Sequence, residues 1–139
     1  SNTMIQNASL MTMLTRPDWS HAITITKRNC DTIGDMYLHM SEGISRLLDR
    51  DGEAKFVLVV CQHPPYMGES SPHGHGVLRT RLSHREINKC FSRGFTALND
   101  MYDPYGWAEY IQPQAIPECH LTNIENNKCR ENHLYRIQT

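Results

Sequence analysis

Between Lys55 and Gln62 the chain reads Lys-Phe-Val-Leu-Val-Val-Cys-Gln, with six consecutive apolar residues from Phe56 to Cys61. The run is closed by the turn-forming Asp49-Arg50-Asp51-Gly52 on one side and by Pro64-Pro65 on the other. It falls far short of the roughly 20 apolar residues that a membrane helix needs. It also lacks the alternation that leaves one face of a strand in water. It is therefore read as a central strand covered on both faces. A chain of 139 residues has room for one core built around such a strand.

The segments around it supply the rest of a sheet and its cover. His21-Ala22-Ile23-Thr24-Ile25-Thr26 alternates small and β-branched residues and reads as a first strand. Ile33, Met36, Tyr37, Met40, Ile44, Leu47 and Leu48 recur at spacings of three and four, an apolar stripe on a helix over 32–49. Residues 63–72 form a loop by composition, and His73–Thr80 resumes as strand. Ser83 and Glu86 fit a capping box that opens a helix expected to run to about residue 99 through Ile87, Cys90, Phe91 and Leu98. Asp103-Pro104 opens a short helix bearing Trp107, Tyr110 and Ile111, which Pro113 stops. A polar stretch follows, with a last strand expected over His133–Ile137. The order β-α-β-β-α-α-β predicts an α+β fold, a mostly antiparallel sheet with helices on one face. Residues 1–20 are expected to be an N-terminal arm opening with a tag remnant, Ser1-Asn2-Thr3, and residues 21–139 a single domain.

Charge and cysteines narrow the function. A formal charge of −1 excludes a protein that holds nucleic acid by bulk positive charge. Five cysteines at irregular spacing, with no CxxC pair and no secretory signal, predict reduced thiols in a cytoplasmic setting. Cys119, His120, Cys129 and His133 match no defensible zinc spacing, so structural or unpaired roles are their default.

The chemistry concentrates in Pro72-His73-Gly74-His75-Gly76-Val77-Leu78. Two histidines two apart on a strand share a face and can grip one cation. The plain alternative is a chance pair in a chain with eight histidines. Downstream, Trp107-Ala108-Glu109-Tyr110-Ile111 places a tyrosine on a short helix, 37 residues after His73. Arg79, Arg81, Arg85, Lys89 and Arg93 make a local basic stretch opposed by Glu86 alone, a candidate contact for a nucleic-acid backbone and otherwise a solvated face.

A β-branched strand, a His-x-His strand followed by apolar residues and a helix-borne tyrosine, in that order, resemble the HUH endonucleases: rolling-circle initiators, relaxases and single-strand transposases. The resemblance covers residues 21–114. Gly74 stands where the family has an apolar residue, and Pro113 where initiators often carry a lysine. The resemblance implies a ferredoxin- or RRM-like palm. It implies that a divalent ion, Mg²⁺ or Mn²⁺, is held by His73, His75 and a third ligand. Gln62 is the expected third ligand, with His63, Glu69 and Gln114 as alternatives. It implies that Tyr110 is the nucleophile, with Tyr105 and Tyr102 as competitors, and that a 5′-phosphotyrosine links enzyme and strand. The implied partner is single-stranded DNA or a hairpin at a replication origin, with no membrane involved. The setting is the cytoplasm, or a host nucleus for a eukaryotic virus. The family leaves both monomer and homodimer open. Two other classes compete: a non-catalytic nucleic-acid-binding α+β domain, and an unrelated metal or phosphoester enzyme built on the same histidines.

Overall fold

The computed structural model describes residues 10–16, 18–63, 70–91 and 94–129. Its centre is a six-stranded sheet in the order β4-β1-β3-β2-β5-β6, every neighbouring pair antiparallel. The strands are β1 (His21–Lys27), β2 (Lys55–Cys61), β3 (His73–Arg79), β4 (Gly94–Asp100), β5 (Ala115–Thr122) and β6 (Lys128–Cys129). Helix α1 covers residues 10–15. Helices α2 (Ile33–Arg50), α3 (His84–Cys90) and α4 (Pro104–Ile111) follow, and a 3₁₀ turn, Gln112–Gln114, prolongs α4.

The apolar run of β2 is central and doubly covered. Phe56, Leu58 and Val60 pack with Met36, Met40, Ile44 and Leu47 of α2 and with Ile87 and Cys90 of α3. Val57, Val59 and Cys61 pack on the other face with Leu10, Met13 and Leu14 of α1 and with Ala108 and Ile111 of α4. Helices therefore lie on both faces, not on one as expected. The N-terminal arm is part of this second layer through residues 10–14.

Local chemistry sets the helix starts. Thr32 accepts the Asp35 N–H at 3.0 Å and Asp103 accepts the Gly106 N–H at 3.0 Å. The Ser83–Glu86 capping box forms as expected. The helix it opens ends at Cys90, however, and Gly94–Asp100 is the edge strand β4. Leu98 fits the helical spacing but pairs with Ile23 of β1, and Phe91 leaves the helix to pack on Gly43 of α2.

The polar stretch after Pro113 forms β5. Its register against β2 jumps between Val59 and Cys61, and Glu118 takes a positive φ of 54° there. That irregularity hides the strand's period in the sequence. Cys119 and Cys129 oppose each other across β5 and β6 and are joined as a disulfide, where reduced thiols were expected; Cys30, Cys61 and Cys90 are free and buried. His120 turns its Nε2 to the Asn126 carbonyl at 3.0 Å. The strand expected over His133–Ile137, with His133 itself, lies outside the described residues. Among the described residues no helix is long and apolar enough to cross a membrane.

Candidate active site

His73 and His75 lie on β3, the strand between β1 and β2, and both face the α1/α4 layer together with Val77. Gly74 and Gly76 face the opposite layer. There Met40 covers Gly74, filling the space that an apolar side chain would otherwise take. A Cβ at Gly76 would collide with the Val57 carbonyl oxygen, so glycine is required there for β2 and β3 to approach.

The imidazole of His75 is buried, only 4% exposed. Its Nδ1 lies 2.9 Å from the Thr24 hydroxyl on β1, directly opposite in register, while its Nε2 is buried without a partner. Burial, and then the nearby His73 and His63, push its pKa down to about 4. The ring is thus neutral at physiological pH. In the tautomer that donates from Nδ1 to Thr24, Nε2 offers a free lone pair to the cleft.

His73 is the wetter partner, its ring centre 4.8 Å from that of His75 and 5.3 Å from that of His63. Its Nε2 meets the Gln114 Oε1 at 2.8 Å. Gln114 donates from its own Nε2 to the Tyr110 carbonyl at 3.0 Å, which fixes the amide with its oxygen toward His73. Pro113 ends the α-helix as expected, but the 3₁₀ turn carries the chain on far enough to align Gln114 with the histidines. Gln62 is placed differently: its amide donates to the Ser70 carbonyl at 3.0 Å, while its backbone N–H pairs with the Gln114 carbonyl at 2.9 Å. Glu69 lies outside the described residues.

Tyr110 stands over this group. Its ring stacks on Trp107 at 5.5 Å and 13° and meets His75 edge-on at 5.4 Å, yet 53% of the residue is exposed. Trp107 is itself held by donating its Nε1–H to the Gly76 carbonyl at 2.7 Å. Tyr110, His73, His75 and His63 line an open cleft of about 290 Å³ with Thr24, Thr26 and Lys27 of β1. The role of Thr24 was not foreseen. The alternation of β1 does place Thr24 and Thr26 on one face, but nothing in the sequence shows that this face meets His75. Tyr102 and Tyr105 are more exposed still, and Tyr102 borders a neighbouring pocket with Trp107 instead.

Among the described residues the basic stretch does not line the cleft. Arg79 ends β3 on the cleft's face, six residues from His73 or roughly 20 Å along the strand. Arg85 and Lys89 are exposed on α3, and Arg81 just before it is anchored to the Arg50 carbonyl at 2.9 Å; both helices concerned, α2 and α3, cover the other face. Arg93 lies outside the described residues.

His73, His75 and Gln114 are the cleft residues that could hold a divalent ion. The His75 Nε2 is buried and unpartnered, while the His73 Nε2 pairs with the Gln114 Oε1 at 2.8 Å and its Nδ1 faces the Ser71 carbonyl at 3.2 Å. Ligands about 2.1 Å from one ion and at right angles are about 3 Å apart. On the opposite face, His21, His84 and Asp100 form a second group able to hold a metal ion, their donor atoms all within 4.8 Å of one another. No protein-family description, curated protein or solved structure matches this chain.

Proposed function

We propose that this protein nicks and rejoins single-stranded DNA in the manner of the HUH endonucleases, with Tyr110 as nucleophile and His73, His75 and Gln114 as the metal-holding set. The carrying observation is the half-exposed Tyr110 ring set edge-on at 5.4 Å to a buried, neutral His75 at the mouth of a cleft.

A tyrosine hydroxyl with an ordinary pKa of around 10 is a weak nucleophile near neutrality, so the phosphate must be made more electrophilic. A bound Mg²⁺ or Mn²⁺ would supply that by polarising the phosphate and offsetting its developing charge. The chain's own residues do the rest. Trp107 and the 3₁₀ turn hold the Tyr110 ring, and Thr24 orients His75. The Tyr110 oxygen bonds to phosphorus and the bond from phosphorus to the 3′ oxygen breaks. The phenolic proton is lost and the departing 3′ oxygen gains one, leaving a 3′-hydroxyl and a 5′-phosphotyrosine. The new ester keeps the phosphodiester energy, so the reverse step can rejoin the strand. Replication or mobilisation of a virus, phage, plasmid or transposon is the setting such chemistry serves.

The test is incubation with single-stranded oligonucleotides and Mn²⁺, followed by a denaturing gel. A covalent protein–DNA band that EDTA prevents is expected. Cleavage with no such band indicates an unrelated phosphoesterase, and binding alone a non-catalytic nucleic-acid domain.

A further inference from the structure

The group on the opposite face carries an inference independent of the cleft chemistry. His21 opens β1 and Asp100 closes β4, and the two are directly paired in register. His84 is the first residue of α3 and crosses toward both, its Nε2 3.1 Å from the Asp100 Oδ1 and its ring centre 5.1 Å from that of His21. Three separate elements thus converge through donor atoms alone.

The His21 ring is set up as a ligand would be. The Ser20 Oγ lies 3.0 Å from the Leu78 carbonyl, receives the Thr80 N–H at 3.1 Å and lies 2.7 Å from the His21 Nδ1. In the tautomer whose Nδ1–H donates to the serine oxygen, the serine proton goes to the Leu78 carbonyl, which also accepts the Ser20 backbone N–H at 2.8 Å. In that tautomer Nε2 carries the free lone pair, and the hydroxyl behind the ring orients it, as the outer partners of metal-bound histidines do. Burial, and then the neighbouring His84, lower the pKa of His21, and Asp100 opposes them. His84 and Asp100 are exposed enough to close the remaining distance by side-chain rotation, and their 3.1 Å separation already matches adjacent ligands on one ion.

We propose that His21, His84 and Asp100 bind one divalent transition-metal ion of the Zn²⁺ class, which pins the start of α3 to the β1–β4 edge. Two imidazoles and one carboxylate are borderline nitrogen and oxygen donors that favour Zn²⁺ over Mg²⁺. The site shares no residue with the cleft.

The test uses the full chain carrying His73→Ala and His75→Ala, so that the cleft histidines cannot contribute. Calorimetric titration with Zn²⁺ is expected to show one equivalent bound in the low-micromolar range or tighter, with a rise in melting temperature. Adding His84→Ala and Asp100→Asn is expected to weaken binding by at least about tenfold and abolish the thermal shift. Both of those residues are exposed, so these substitutions leave the core intact, and circular dichroism verifies it. No Zn²⁺ binding in the cleft-silenced background would overturn the proposal, as would binding unchanged by the two further substitutions.

Discussion

Replacing Tyr110 with phenylalanine removes one oxygen and separates two roles of the same ring. The stack on Trp107 and the edge contact with His75 belong to the ring, and phenylalanine keeps them. Such aromatic pairs contribute about 0.5–1.5 kcal/mol each beyond the area they bury. The lost hydroxyl belongs to a residue that is 53% exposed, where a substitution changes stability by no more than about 0.5 kcal/mol. With an unfolding entropy of about 2.1 cal/mol/K per residue, that is a shift of about 2 °C or less for a chain this size. Covalent adduct formation, by contrast, should fall to background, because no other atom of the ring can attack phosphorus. The assay pairs a thermal melt with the Mn²⁺ oligonucleotide reaction resolved on a denaturing gel, and a binding measurement confirms that the variant still holds the strand. Tyr105→Phe is the internal control and should form adduct at the parental rate. An adduct that persists in Tyr110→Phe and disappears in Tyr105→Phe would refute the assignment and move it to Tyr105, five residues earlier on α4.

The remaining predictions concern the cleft walls and the core. Gln114→Ala should raise the Mn²⁺ concentration needed for half-maximal adduct by about tenfold or more, whereas Gln62→Ala should leave it within a factor of about two; the reverse order would restore Gln62 as the ligand. Arg81→Ala with Arg85→Ala should leave the salt slope of oligonucleotide binding unchanged, since those arginines sit on the layer away from the cleft; fluorescence anisotropy across a salt series checks it. Asp51 accepts from the Thr80 hydroxyl at 2.6 Å and from the Arg81 and Glu53 N–H groups, first the Thr80 bond and then these holding its carboxyl below the usual range. Because the folded pKa is the lower one, the added stability is present above about pH 4 and is lost as pH falls through the folded value. Asp51→Asn should therefore lower stability by about 1–3 kcal/mol at pH 7, a gap that denaturant melts should show closing in acid. Thiol titration of the unfolded, unreduced chain should count three free cysteines, not five.

The sequence by itself determined the parts that depend on neighbours along the chain. The apolar run of β2, the α2 stripe, the capping box at Ser83 and the Asp103-Pro104 start are short-range patterns, and each appears where those patterns put it. The shared face of His73 and His75 follows likewise from the two-residue period of a strand. Tertiary structure decided what depends on partners distant in sequence. The edge strand β4 has too few buried positions to show a period, and its Leu98 suits a helix until β1 is present to pair with it. The bulge that gives Glu118 its positive φ erases the alternation of β5. The third polar group at His73 is also a matter of packing. Gln62 and Gln114 are both within reach on paper, but β2 and the end of α4 orient one amide toward Ser70 and the other toward His73. Which face of the sheet a charge occupies is fixed only when helices choose their layers, and so Arg81 and Arg85 lie away from the cleft. Hydrogen-bond direction and strand order are long-range properties, and a one-dimensional pattern does not encode them until the chain has closed on itself.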